Sequence, residues 1–182
     1  AANPFLIPRE VKSIALVVVT ADRGLCGAFN SNLLKAALNH INVNYGQLNS
    51  EGRLKLFCVG RKGFDFFSKR QFNIGGKHIG LFSNLVFGQA QAIVREIVQR
   101  YLAGEFDKVE IVFNEFKSVA RHKIVVDQFL PLASSQDEPV GGISNYIYEP
   151  SNWQIVDALV PKHLNFQLWR ILLESNAAEQ GA

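Results

Sequence analysis

The sequence contains no methionine, only two cysteines and no long apolar run, and its charge excess is small. Each shortage excludes something. A translated chain starts with methionine, so the opening Ala1 reads as processing, trimming or a partial chain. Cys26 and Cys58 form no C-x-x-C pair, which argues against a disulfide scaffold and predicts free, reduced thiols in an intracellular protein. The longest apolar stretch, near Ile14 to Val19, is far short of the roughly 20 residues that span a bilayer. Neither end has the layout of a signal peptide, so a soluble chain is expected. Lys and Arg number 19 against 16 Asp and Glu, a net charge of +3, too weak to argue for nucleic acid. His40, His78, His122 and His163 are scattered, with no Cys or carboxylate at metal-ligand spacing, so no metal site is expected.

What is present reads as an α/β protein. The 182 residues are 48% hydrophobic and 19% charged, and include 14 Phe. That suits one domain with an aromatic-rich core of its own. Ser13 to Val19 is a continuous, β-branched apolar run, the pattern of a strand buried on both faces. Leu34, Ala37, Leu38 and Ile41 then form a helical stripe, predicted to end before Tyr45-Gly46. Leu54 to Val59 is a second buried strand. Gly60 to Gly63 is a turn, followed by a short helix carrying Phe64 and Phe67. Lys77 to Gly80 reads as a short edge strand.

The clearest helix, capped by Ser83 or Asn84, carries Ala90, Ile93, Val94, Ile97, Val98, Tyr101 and Leu102 on one face and stops at Gly104. Val109 to Phe113 and Lys123 to Leu130, joined by a polar turn at Lys117 to Arg121, predict an antiparallel hairpin. Pro131 to Gly142 is a polar loop, and Tyr146 to Pro150 a short strand. Ser151-x-x-Gln154 matches a capping box opening a helical tail, with a bend or restart expected at Pro161. The fold class is therefore Rossmann-like: a mixed, mostly parallel sheet with helices on both faces. Residues 1–150 form the globular part and 151–182 begin a C-terminal helix.

A ligand of such a sheet sits at the C-terminal strand ends, which include the Asp22-Arg23-Gly24-Leu25-Cys26-Gly27 turn. Its glycines are spaced G-x-x-G, matching neither a dinucleotide loop nor a P-loop, and Gly75-Gly76-Lys77 also fails. Cys26 near a helix start is a candidate nucleophile, Asp22 a candidate acid or base, and Arg23 a candidate anion holder. Structural roles compete: Asp22 as a capping or Asx-turn residue, Arg23 paired with Asp22 or facing a partner, Cys26 packed at the turn. A stand-alone nucleotide-binding domain or enzyme using Asp22, Arg23 and Cys26 stays open on the residues alone.

The stretch Val19-Thr20-Ala21-Asp22-Arg23-Gly24-Leu25-Cys26-Gly27-Ala28-Phe29-Asn30 resembles the marker segment of the gamma subunit family of bacterial F-type ATP synthases. Gly60-Arg61-Lys62-Gly63, Phe129-Leu130-Pro131-Leu132, Tyr146-Ile147-Tyr148-Glu149-Pro150 and Leu173 to Gln180 are similar, in order, to further segments of that family. The resemblance implies a central-stalk rotor, non-catalytic and without cofactors or direct nucleotide binding. It would couple proton-driven rotation of the membrane c-ring to ATP synthesis or hydrolysis in the alpha and beta subunits. It implies that Asp22, Arg23, Gly24, Leu25, Cys26 and Gly27 meet a beta subunit. It likewise implies that Tyr146, Tyr148 and Glu149 meet the c-ring and the epsilon subunit. The implied location is peripheral, on the cytoplasmic face of the bacterial plasma membrane. In the family a helix precedes the position of Ala1, and the C-terminal helix continues past that of Ala182. The loop after Leu132 lacks the cysteine pair of plant chloroplast relatives, so thiol regulation of that kind is not expected.

Overall fold

The computed structural model describes residues 3–23, 28–119, 121–133 and 153–181. Five strands, β1 (Ile14–Val19), β2 (Leu54–Val59), β3 (Ile74–His78), β4 (Lys108–Ser118) and β5 (Arg121–Leu130), form one sheet in the order β3-β2-β1-β4-β5. β1 pairs in parallel with both β2 and β4, β2 with β3, and β5 closes the sheet antiparallel to β4. This is the mixed, mostly parallel sheet expected. Every residue of β1 is buried because helices cover both faces. Ile14, Leu16 and Val18 face Leu33, Ala37 and Ile41 of α1 (Phe29–Ser50) and Phe67 of α2 (Arg61–Ser68). Ala15, Val17 and Val19 face α3 (Phe87–Leu102) and α4 (Trp153–Gln180).

Several boundaries differ from the sequence expectation. α1 does not end before Tyr45; it continues to Ser50 across a kink, with Tyr45 at φ −135°. Beyond the kink Leu48 still packs on the core, which holds the last turn in place. The edge strand lies earlier than Lys77 to Gly80. β3 crosses the Phe57 ring where only glycine fits, since a Cβ on Gly76 would stand 2.6 Å from Phe57 Cδ1. Neither Ser83 nor Asn84 caps α3. A 3-10 turn (Leu81–Ser83) intervenes, and the helix opens at Phe87, where Gln89 Oε1 accepts the Val86 N–H at 2.8 Å. The hairpin strands extend to Ser118 and Arg121, leaving a tighter turn than Lys117 to Arg121.

Pro161 does not split the last helix: α4 runs through it as one element. A proline inside a helix costs about 3 kcal/mol. Val156, Val160, Leu164, Leu168 and Leu172 repeat every fourth residue across it, and all are buried on α3 and the sheet. Each such side chain returns about 1.5–3 kcal/mol, so packing outweighs the proline. The Ser151 capping box lies outside the described residues, as does the Tyr146 to Pro150 strand.

Two polar clusters fasten helices to strands. Glu110, 7% exposed on β4, is hydrogen-bonded to His40 of α1 at 2.9 Å, and Lys108 stands 3.6 Å from its other oxygen. Burial, reinforced by Glu110, pushes the Tyr45 phenol above its ordinary value. At the end of α3, the Arg100 guanidinium forks onto Glu105 at 2.6 and 2.7 Å and lies over Phe57. The Arg100 hydrogen bonds, helped by Lys55, hold the Glu105 carboxyl down at about 2.

Candidate interface at the strand ends

The loops after β1, β2 and β3 are tied together by one carboxylate. Asp22 Oδ1 accepts the backbone N–H of Arg61 and of Gly80, each at 3.0 Å, and Oδ2 accepts that of Phe82 at 3.4 Å. Beneath it, Thr20 Oγ1 accepts the Gly63 N–H at 2.9 Å and the Lys62 N–H bonds to Ala21 O. The β2 loop crosses so close that a Cβ on Gly60, at φ +104°, would stand 2.1 Å from Thr20 O. At the start of α1, Asn30 Oδ1 accepts the Ala21 N–H at 3.0 Å, and its amide nitrogen reaches Arg23 O at 3.5 Å.

This geometry assigns Asp22 a structural task. Three backbone donors occupy its oxygens, so it is built as a clamp rather than as a proton carrier. Arg23 is exposed, and no ion pair joins it to Asp22 among the described residues. With Arg61 it lines an open cleft of about 540 Å³ between the strand ends and the end of α4, which contributes Asn176 and Gln180. Gly24, Leu25, Cys26 and Gly27 lie outside the described residues, as do Tyr146, Tyr148 and Glu149. Cys58 is buried in the core, and burial pushes its thiol up to about 12, an unreactive environment. Among the described residues no three His, Cys, Asp or Glu converge as a metal site, and no helix is long and apolar enough to cross a membrane.

Residue-by-residue reading missed the clamp's partners, because they are backbone amides 39 to 60 residues away in sequence. It also missed the double nature of α4. Opposite its buried stripe, Ile155, Phe166 and Leu173 are 42%, 65% and 44% exposed. Leu159 and Trp169 are half-buried on the same side, and Phe87 of α3 flanks them, its ring 5.4 Å from Phe166 and 5.9 Å from Trp169. α4 is therefore apolar on two opposite sides, one of them open.

A family model described as ATP synthase matches residues 1–182. The chain belongs to the ATP synthase gamma-chain family. It is 47% identical over 191 residues to the ATP synthase gamma chain of Chloroherpeton thalassium and 48% identical over 181 residues to that of Chlorobaculum parvum. Both alignments cover 99% of this chain but only 63% and 62% of those gamma chains, so it spans under two thirds of their length.

Among solved structures, a chain of the Tetrahymena thermophila mitochondrial ATP synthase central stalk and c-ring superposes with a TM-score of 0.72. It is 20% identical, with 97% of this chain and 75% of that one covered. A chain of the Euglena gracilis mitochondrial ATP synthase rotor gives a TM-score of 0.70 at 15% identity, over 94% of this chain and 64% of that one. At these identities the two structures speak for the fold alone.

Proposed function

We propose that this chain is the α/β domain of the central-stalk rotor of a bacterial, proton-translocating F-type ATP synthase, and that it carries rotation between the membrane c-ring and the alpha/beta head. It performs no catalysis of its own, binds no nucleotide directly and works peripherally on the cytoplasmic face of the plasma membrane. The observation that carries this reading is the second apolar side of α4. A helix with one buried stripe and one open apolar stripe is shaped to serve as one strand of a helical shaft. Asn3, whose side-chain amide donates to Asp157 Oδ1 at 2.8 Å, brings the start of the chain beside the first turns of α4. A preceding helix would enter there and run along Ile155, Phe166 and Leu173.

In this reading the Asp22–Gly27 turn faces the acidic lever of a beta subunit, with Arg23 as its exposed cation. Tyr146, Tyr148 and Glu149 face the c-ring and epsilon. The Asp22 clamp gives that end the stiffness a torque-bearing contact needs, because three loops cannot shift independently. The experiment is reconstitution of the complete natural chain with its alpha, beta and epsilon subunits. The chain alone is expected to hydrolyse no ATP and to show no nucleotide binding by calorimetry. The assembled complex is expected to retain most turnover in the Cys26→Ser variant. Tight nucleotide binding by the isolated chain, or loss of all turnover in that variant with assembly intact, contradicts the proposal.

A further inference from the structure

The segment before β1 is pinned at almost every step. Residues 3–13 include Pro4 and Pro8 and no glycine, so two φ angles are fixed and the most pliable residue type is missing. Asn3 is 3% exposed. Its side-chain amide donates to Asp157 Oδ1 of α4 at 2.8 Å, and its Oδ1 accepts the Phe5 N–H at 2.9 Å. Its carbonyl accepts the N–H groups of Leu6 and Ile7, each at 3.1 Å. The Tyr101 hydroxyl of α3 donates to Pro4 O. The Phe5 ring is buried in the core under α3 and α4, and Phe5 O accepts the Leu132 N–H, just past β5, at 2.7 Å.

Asp107 fastens the other end of the segment. β1 and β4 start side by side, with Ile14 opposite Lys108, and the residues just before them bond both ways. Asp107 Oδ2 accepts the N–H groups of Lys12 and Ser13 at 2.9 and 3.0 Å, and the Asp107 N–H donates to Ser13 O at 2.9 Å. Asp107 Oδ1 pairs with Arg9 Nε at 3.0 Å. The same guanidinium donates to Phe106 O and lies over the Tyr101 ring, 4.9 Å from its centroid. Val11 packs on the opposite core, beneath α1. The longest stretch between anchors, Leu6 to Pro8, is itself closed by the Asn3 turn. Each unpinned residue adds two soft dihedrals, and a flexible linker swivels where a pinned one passes a twist on.

We propose that residues 3–13 are a torsionally stiff joint, with Asn3 and Asp107 as its positioning residues. The joint locks the chain entering at Asn3 to the start of the sheet, so that twist reaches β1 and β4 by a route separate from α4. The proposal rests on the reading above, that a helix of the shaft precedes Asn3. The Asp22 clamp ties the loops at the C-terminal ends of the strands, and the Asp107 bonds tie the N-terminal ends of β1 and β4. Twist delivered at either end of the sheet therefore meets bonded backbone rather than a swivel.

The test uses the complete natural chain assembled with its alpha and beta subunits, the head fixed to a surface and a gold rod attached to α1 through Lys35→Cys, an exposed position. With the head stalled by an inhibitor, the spread of rod angles reports the torsional stiffness between head and domain. Asn3→Ala and Asp107→Ala should each widen the angular variance by about twofold or more, with ATP turnover within about twofold of the parent. Asp107→Asn keeps an acceptor for the Lys12 and Ser13 amides and loses the Arg9 ion pair. It should widen the variance less, and it serves as the test where an alanine variant does not assemble. Ile41→Val loosens the core beneath α1 without touching the joint and should leave the variance unchanged. An unchanged variance in the joint variants, with assembly intact, overturns the joint and leaves the shaft reading standing. An equal widening in Ile41→Val overturns the assignment to residues 3–13. A parent rod that never turns while the head hydrolyses ATP overturns the reading beneath.

Discussion

α3 and α4 lie side by side on the same face of one sheet and share one core, yet they are finished to different degrees. α3 buries Ala90, Ile93, Val94, Ile97, Val98 and Tyr101 and turns Gln91, Arg95 and Gln99 to solvent. Its end is fastened by the Arg100–Glu105 fork and closed at Gly104, which takes φ +83°. α4 buries a longer stripe but leaves Phe166 and Leu173 open, and its most regular surface ion pair, Arg170 with Glu174 at 2.8 Å, is exposed. The difference shows how a helix can be complete for folding and incomplete for assembly. Apart from Leu102 at its last turn, which is 49% exposed and so leaves the buried face expected for it, α3 is satisfied within the domain, whereas α4 holds the domain together on one side and offers a binding stripe on the other.

The largest expected effect treats the inner sides of the two helices alike. Ile97→Ala and Leu168→Ala, both at fully buried positions, should each cost about 2–5 kcal/mol by chemical denaturation. A much smaller loss at Leu168 would mean that α4 is only loosely docked. The outer sides should then diverge. Phe166→Ser should change the stability of the 182-residue chain by less than about 0.5 kcal/mol, but the complete chain by about 1.5–3 kcal/mol once that ring is covered. Gln91→Ala on α3 should be silent in both, and equal behaviour of Phe166 and Gln91 in the complete chain would erase the contrast.

The fork at the end of α3 has a pH signature. Glu105 is held at about 2 against an ordinary 4.5. A depressed carboxylate stabilises fully above its unfolded value and loses that contribution as pH falls through the folded value. Glu105→Gln should therefore cost about 1 kcal/mol near neutrality, after allowance for its partial exposure. It should also flatten the decline of stability between about pH 4.5 and 2. The smallest effect belongs to α4: Glu174→Gln should cost no more than about 0.5 kcal/mol and vanish in high salt. A salt-insensitive loss there would mean that this pair is not the surface contact it looks like.

Much of this was legible in the residues. The β-branched run of β1, the apolar run of β2 and the stripe of α3 are readable directly from the residues, and the hairpin from the short spacing of two apolar runs. Boundaries slipped where tertiary contacts decide. Gly76 had to clear Phe57, the Leu81–Ser83 turn displaced the cap of α3, and packing carried α4 through Pro161. For the site, Asp22 was visible as a turn residue, and its task was not. Its partners are amides contributed by two other loops, and a backbone N–H leaves no mark on residue type. The apolar residues of α4 were all readable, but only the packed sheet separates the stripe it covers from the stripe it leaves open.

The central claim is that this domain turns with a shaft of which α4 is one strand. The most direct measurement fixes the alpha/beta head of the reconstituted complex to a surface and attaches a gold rod to α1 through Lys35→Cys, an exposed position. On addition of ATP the account predicts stepwise rotation of the rod in one direction, stopping when the head is inhibited. A rod that holds one angle while the head hydrolyses ATP would contradict it.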